Sequence, residues 1–392
     1  MRGGSRRPDR PFQVLCVAVA LLLAAALSPQ FGFAERAGAL PIPDKANLGS
    51  LGERLNANTV AIIAGNPNAT YLTIAYDLSA VLDDGDNFRV LPVIGKGGGQ
   101  NIRDVRFLKG VDLGITQSIL LNEFRDDNEI GRIDDKIVYV TKLFNEEMHV
   151  LVRADSGISA IEQLNGKKVN FSDVGSGSQL SARDIFRRLG IKADEINVGQ
   201  TDAFEKMKSG EIAATILIAG KPTAAMGKLQ ASDGFRFLPV PFSKPLQNAY
   251  LPAALGHDDY PGLVEAGHDV NTIAVSAVLI AYNWPQDSDR YRRIAKFVNV
   301  FFPKLAEFQK PPRHPKWRET NLAAVLPGWT RFAAAEQWLD RNGGARLPAD
   351  SARQQFDQFL AAHRAFGASA DPNNADERER LFEEFEKWQR RH

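Results

Sequence analysis

One local pattern recurs along this chain: a short apolar run, a turn rich in glycine or hydroxyl residues, and then a segment with apolar residues at helical spacing. The clearest copy is residues 168–190, KVNFSDVGSGSQLSARDIFRRLG. This order predicts a strand, a tight loop and a helix, with Ser178 as the N-cap and Gly190 as the end of the helix. Strands that alternate with helices predict α/β architecture with mostly parallel sheets, in which ligand loops lie at the carboxyl ends of the strands.

The turn Gly175-Ser176-Gly177-Ser178 has two interpretations. It is either an ordinary strand-to-helix turn, or a loop that holds a small anion with hydroxyl groups and the free N–H groups of a helix N-terminus. Polar loops of the same kind follow four other predicted strands, at residues 65–70, 95–100, 116–118 and 219–222. The repetition favours ligand binding.

The remaining elements follow from the same periodicity. Strands are predicted at 60–64, 88–94, 111–115, 137–143, 148–152, 212–218, 236–240 and 272–281, and helices at 71–82, 102–109, 158–164 and 223–229. Asn101 is predicted to cap the helix that follows it. Residues 35–58 are expected to be a loop-like leader, and the segment after Asp287 to be helical, with its charges either on a solvated face or on a docking surface.

The amino terminus has the pattern of an export signal. Four arginines within residues 2–10 precede the apolar run 14–27, and small residues follow up to Ala34, after which cleavage is expected. A retained, uncleaved membrane anchor is the alternative. The only cysteine, Cys16, lies inside this segment, so the mature chain has no thiol for a disulfide or a metal. The expected location is the periplasm.

Composition excludes several classes of protein. The 392-residue chain has a formal net charge of +1 and no long basic run, so no nucleic-acid partner is expected. A chain of this length normally forms more than one domain.

No catalytic set is recognisable, and the chain is predicted not to be an enzyme. The six histidines are scattered without metal-ligand spacing, so neither a metal nor a cofactor is expected. The acid pairs Asp83-Asp84, Asp126-Asp127 and Glu146-Glu147 are interpreted as surface residues. Polar loops without a catalytic set, on an exported chain, predict a solute-binding protein that closes on its ligand by a hinge.

The order and spacing of several motifs resemble the TAXI family of solute-binding subunits of tripartite ATP-independent periplasmic (TRAP) transporters. The resemblance runs from about Val60 to Ile280. Its motifs are residues 65–72 (GNPNATYL), 98–102 (GGQNI), 112–117 (DLGITQ), 149–158 (HVLVRADSGI), 175–178 (GSGS), 219–222 (AGKP), 260–262 (YPG) and 269–275 (DVNTIAV).

This resemblance implies a two-lobed type II periplasmic-binding-protein fold with a central cleft. Lobe 1 would be residues 59–147, completed by about 274–330, lobe 2 would be 148–273, and 331–392 would be a helical extension. The ligand would be a small organic anion, a dicarboxylate or amino acid such as glutamate or 2-oxoglutarate, and the partner a TRAP membrane permease. A sensor subunit for a membrane signalling protein is the alternative, and a monomer is expected.

The expected ligand-binding residues lie in the loops of these motifs. They are Asn66, Asn68, Thr70, Tyr71, Gly99, Gln100, Gln117, Ser176, Ser178, Gln179 and Lys221. Lys221 replaces a residue that is neutral in many relatives. It either faces the cleft as a cation for a carboxylate or is a solvated loop lysine.

Overall fold

The computed structural model describes residues 45–67, 69–125, 129–247 and 249–342. Residues up to Gly52 and those from Glu53 onward form two separate units. Of the first unit the structure describes only 45–52, the beginning of helix α1 (Lys45–Ala57). The prediction of a loop-like leader is therefore wrong for these residues. The signal segment, Asn68, Asp126-Asp127 and the chain after Asn342 lie outside the described residues.

The described part of the second unit is built on one sheet of ten strands in the order β2-β1-β3-β10-β4-β7-β5-β6, with β8 beside β4 and β9 beside β10. The strands are β1 (Thr59–Ile63), β2 (Arg89–Val93), β3 (Leu113–Gln117), β4 (Ile137–Arg153), β5 (Lys168–Asn170), β6 (Asp194–Ile196), β7 (Ala214–Ala219), β8 (Phe235–Phe237), β9 (Leu251–Leu255) and β10 (Val270–Tyr282).

The sheet has two halves with the same arrangement. In the first, β1 pairs in parallel with β2 and β3; in the second, β5 pairs in parallel with β6 and β7. The long strands β4 and β10 are antiparallel to each other and connect the halves, β10 beside β3 and β4 beside β7. The predicted fold class, a two-lobed α/β protein in which the chain crosses twice between lobes, is confirmed.

Helices follow the strands in each half. They are α2 (Thr70–Leu82), α3 (Gly98–Phe107), α4 (Ser118–Glu123), α5 (Gly177–Leu189), α6 (Gln200–Lys208), α7 (Asp289–Phe301), α8 (Leu305–Phe308) and α9 (Ala333–Arg341), with 3₁₀ turns at Ile161–Leu164, Ala231–Asp233, Phe302–Lys304 and Pro315–Glu319. None of the helices in the described residues is long and apolar enough to cross a membrane.

Strand β4 differs most from the prediction. The sequence predicts two strands, 137–143 and 148–152, but one strand of 17 residues runs through both and is buried along most of its length. Pairing with β10 satisfies backbone groups of the polar residues on one side; on the other side Glu147 pairs with β7, and the Asn145 N–H donates to the Glu319 carboxylate at 2.9 Å. The strand therefore carries charged side chains through the interior, between the two halves.

Two helix starts also differ from the prediction. Ser176, not Ser178, caps α5, because its hydroxyl accepts a hydrogen bond from the Gln179 N–H at 3.1 Å. Asn101 lies inside α3, where its amide donates to the carbonyl oxygens of Ala64 and Ile115 at 2.8 and 2.7 Å. That amide fixes α3 against the carboxyl ends of β1 and β3.

Two further elements correct the prediction in the second half. Residues 223–229 form turns and not a helix, and β9 is a strand that the periodicity did not indicate. The predicted end of α5 is correct, since Gly190 adopts the left-handed conformation that a helix C-terminus favours.

The segment that follows α8 completes the core of the first half. Trp317 is fully buried; its indole N–H donates to Asp77 at 2.9 Å, and its ring packs on those of Phe301 and Phe308. These contacts hold the turn Pro315–Glu319 against α2, α7 and α8.

Candidate functional site

The polar loops of the two halves meet around a small cavity of about 30 Å³. Its lining comes from the segments after β1, β2 and β5, from β4, and from the ends of β3 and β7. The lining residues are Gly65, Asn66, Ala69, Tyr71, Lys96, Gly97, Gln117, Glu146, Ser172, Ser176, Gly177, Ser178, Leu217 and Ile218. This volume holds about two water molecules.

Five of the predicted ligand residues line this cavity: Asn66, Tyr71, Gln117, Ser176 and Ser178. The first three come from one half and the two serines from the other. The Ser178 hydroxyl accepts from the Ile218 N–H at 2.9 Å, which joins the start of α5 to the end of β7. The N-terminus of α5 thus borders the cavity with its hydroxyl groups and unpaired N–H groups.

Four other predicted residues lie nearby but do not line the cavity. The Thr70 hydroxyl donates to the Gly220 carbonyl oxygen at 2.8 Å, and the Gln100 side chain accepts from the Lys96 N–H at 2.9 Å. Gln179 accepts from the Gly175 N–H at 2.6 Å and donates to Glu195 at 2.7 Å. Gly99 packs against Phe124 and Leu180. These residues shape the loops; Asn68 lies outside the described residues.

Lys221 lies apart from the other predicted ligand residues. Its ammonium group donates to the Ala254 carbonyl oxygen at 2.9 Å and pairs with Asp259 at 2.8 Å. It lines a separate pocket of about 590 Å³. The other lining residues are Pro222, Gly256, His257, Asp258, Asp259, Ala266, Gly267, Asp269, Pro315, Lys316, Arg318 and Glu319. Lys221 is therefore neither a cation in the cavity between the polar loops nor a solvated loop lysine, because its ammonium group is hydrogen-bonded within that second pocket.

Sequence reasoning missed Lys96, Ser172 and Glu146 as lining residues. The interpretation of Glu146-Glu147 as a surface pair is wrong: both side chains are 3 % exposed. The apolar residues on either side, IVYVTKLF and MHVLVR, were the available signal, since together they are long enough for one buried strand that contains both acids.

Glu146 is the buried acid of the cavity. Its carboxylate accepts a hydrogen bond from the Tyr71 hydroxyl at 2.6 Å. Burial raises the pKa of Glu146 to about 8, although hydrogen bonds from Tyr71 and Gln117 oppose the rise. Burial, together with the charge of Glu146, also raises the pKa of Tyr71 well above its usual value. The cavity wall therefore carries a carboxyl group that exchanges its proton near neutral pH.

Ser172 is held in a strained conformation where the two halves meet. Its φ of 71° is in the left-handed region, which is uncommon for residues other than glycine. Ser172 lines both the cavity and an adjoining pocket of about 210 Å³, whose walls include Asp173, Gly199 and Gln200. Strained residues concentrate at ligand sites, and this position fits that tendency.

Direct contacts hold the halves together beside the cavity. The Asn66 amide donates to Asp173 at 3.1 Å, and the Ser181 hydroxyl donates to Gln117 at 2.6 Å. The backbones of Gly98 and Gly177 approach so closely that a Cβ on Gly98 would lie 2.4 Å from the Gly177 nitrogen. Only glycine permits this approach, which brings the N-termini of α3 and α5 together.

Within the described ranges no group of His, Cys, Asp or Glu side chains is arranged to hold a metal ion. The polar groups around the cavity are hydroxyls, amides, backbone N–H groups, one ammonium and one carboxyl group. Such a set can bind a small polar molecule by hydrogen bonds and charge pairing.

Residues 62–327 match the model of the NMT1-like family. The chain belongs to this family. The match begins within β1 and ends beyond the Pro315–Glu319 turn, so this NMT1-like region contains every lining residue of the cavity.

Solved structures similar to the NMT1-like chain have low sequence identity. The periplasmic aliphatic sulphonate binding protein SsuA from Escherichia coli is 17% identical, with 82% of this chain and 91% of that chain covered and a TM-score of 0.39. An ABC uptake transporter substrate-binding protein from Streptococcus pneumoniae with bound histidine is 12% identical, with 67% and 93% covered and a TM-score of 0.41. The periplasmic binding protein BugD is 10% identical, with 84% and 97% covered and a TM-score of 0.42.

Proposed function

We propose that this chain is a periplasmic solute-binding protein that captures a small polar solute between its two halves and delivers it to a membrane permease. The observation that carries the proposal is the cavity itself, because both halves contribute polar side chains to one small space. Two strands connect the halves, and such a connection permits hinge opening and closure around a ligand.

Capture needs no covalent step. In an open state the loops after β1 and β5 separate and admit the solute, and closure then replaces its water with the Asn66 amide and the Ser176 and Ser178 hydroxyls. The adjoining pocket of about 210 Å³ gives a larger solute room beside the cavity. Hydrogen-bonding groups that are already in place bind well because little ordering is needed.

The proposed ligand class is a small organic anion or an amino acid, with glutamate and 2-oxoglutarate as representatives. Lys96 and the N-terminus of α5 provide positive charge and free donors for one carboxylate. We further propose a TRAP-type permease as the partner, on the resemblance of the loop motifs. Lys221 is left out of the proposed site.

Isothermal titration calorimetry of the purified protein against amino acids, 2-oxo acids and dicarboxylates tests the proposal. We expect at least one compound to bind, and Asn66→Ala to weaken it about tenfold, a loss of about 1.4 kcal/mol. Asn87→Ala is the matched control, because Asn87 makes a similar amide-to-aspartate hydrogen bond at an exposed turn. No heat and no thermal shift with any compound of the panel would refute the proposed function.

A further inference from the structure

The two adjacent glutamates of β4 have opposite surroundings. Successive side chains of a strand point to opposite faces. Glu147 pairs with the Lys316 ammonium at 2.6 Å, whereas Glu146 faces the cavity and accepts from the Tyr71 hydroxyl. Among the residues that the structure describes, no salt bridge includes Glu146.

A buried carboxylate without a cation is costly, and a protein usually keeps such a group neutral. The groups that act on Glu146 are Tyr71, Gln117, Glu147 and, more weakly, Lys316; their combined effect with burial leaves its pKa at about 8. In the ligand-free cleft Glu146 is therefore mostly protonated near pH 7. A ligand cation placed in the cavity would supply the missing charge.

The same cavity also contains groups that can bind a negative charge of the ligand. Lys96 and the hydroxyl groups at the N-terminus of α5 line it together with Glu146. A ligand with a carboxylate and an ammonium group can thus satisfy both parts of the site, whereas a dianion places negative charge beside a carboxyl group that has no cation.

We propose that Glu146 is the specificity-determining residue of the cleft, which pairs with an ammonium group of the ligand and releases its own proton when the ligand binds. This inference rests on the proposed function and narrows it. It separates glutamate from 2-oxoglutarate, which share both carboxylates and differ in the ammonium and keto groups.

The test compares each amino acid with its 2-oxo acid, beginning with glutamate and 2-oxoglutarate and with alanine and pyruvate. Titration calorimetry in two buffers of different ionisation enthalpy counts the protons exchanged. At pH about 7 we expect binding of the amino acid to be about tenfold or more tighter than that of its oxo acid, and to release nearly one proton. Its affinity should rise further as the pH approaches about 8.

Glu146→Gln keeps the shape of the side chain and removes its charge. We expect it to weaken amino-acid binding about tenfold or more and to abolish proton release, while leaving any binding of the oxo acids unchanged. Glu162→Gln, at an exposed glutamate outside the cavity, is the control and should change neither quantity. Thermal unfolding checks that both variants are folded.

The outcomes separate this inference from the proposed function. If the oxo acids bind as tightly as the amino acids, or if Glu146→Gln keeps the affinity and proton release of the wild type, the role of Glu146 is refuted and the solute-binding function stands. If none of these probes nor any other compound of the panel binds, both proposals fail.

Discussion

Glu146 and Glu147 are adjacent in a buried strand, but because they lie on opposite faces of the sheet they have different partners. Both are equally buried, yet Glu147 has the Lys316 ammonium at 2.6 Å and Glu146 has only neutral donors. Glu147 is part of the scaffold, whereas Glu146 is available to a ligand.

The raised pKa of Glu146 predicts how the stability of the protein depends on pH. Its pKa is about 8 in the folded protein and about 4.3 in an unfolded chain, so between these values the folded state binds more protons. Its contribution to stability is therefore fully present below about pH 4 and is lost as the pH rises through 8. We expect Glu146→Gln to become more stable relative to the wild type by about 2 kcal/mol between pH about 6 and about 8. Urea unfolding of both proteins at the two pH values measures this; a constant difference would contradict it.

The residues that line the cavity could be predicted only in part from the sequence, for a physical reason. Loops at strand ends are recognisable from glycine and hydroxyl residues, and these loops supply Asn66, Tyr71, Gln117, Ser176 and Ser178. Glu146 could not be recognised, because its burial depends on β7 and β10, which pair with β4 from distant parts of the chain. Lys221 is next to a correctly predicted strand, but its partners Ala254 and Asp259 come from a segment whose strand was missed.

At the level of elements, the middle of β4 is fixed by a buried ionic network. Lys316, 2 % exposed, reaches Glu147 and Glu319 at 2.6 and 2.7 Å, and the Lys221 N–H donates to Glu147 at 3.0 Å. Burial alone would lower the pKa of Lys316, but the two carboxylates raise it well above its usual value. The network thus joins β4, the loop after β7 and the Pro315–Glu319 turn.

Lys316→Met should remove this connection and greatly lower the free energy of unfolding. The substitution leaves Glu147 buried without its cation, and we expect a loss of about 3–5 kcal/mol in the free energy of unfolding. Lys206→Met is the matched control, because Lys206 pairs with Glu211 at the surface and its loss should cost about 0–1 kcal/mol. Urea unfolding measures both, and equal effects of the two substitutions would contradict the role of the network.

Most strands and helices were predictable because their apolar spacing reflects which face is buried. The failures are at positions where tertiary pairing overrides the local signal. Charged residues interrupt β4 in the sequence, but β10 pairs along this stretch and β7 pairs with β4 from Glu147 onward. Asn101 is of a residue type that favours helix caps, but its amide donates to three carbonyl groups and so lies inside α3.

At the scale of the whole molecule, the proposed function requires two arrangements of the halves. Hydrogen bonds from Asn66 to Asp173 and from Ser181 to Gln117 join the halves beside the cavity, so the structure represents a closed state. Closure rests on a contact that has no room for a side chain, between the N-termini of α3 and α5 at Gly98 and Gly177. Gly98 does not line the cavity, so this contact can be altered at Gly98 without removing any group that lines it.

Gly98→Ala should shift the protein towards an open state. Its Cβ would lie 2.4 Å from the Gly177 nitrogen and 2.6 Å from the Gly177 Cα, so the halves must separate to accommodate it. Gly85→Ala is a matched control, because Gly85 has nearly the same φ, 53° against 54°, and nothing lies within 4 Å of its Cβ position. Both variants carry the same backbone strain of about 1 kcal/mol. Only Gly98→Ala should raise the radius of gyration in small-angle X-ray scattering and weaken the binding of the solute about tenfold. A Gly98→Ala protein that scatters and binds like Gly85→Ala would show that closure does not depend on this contact.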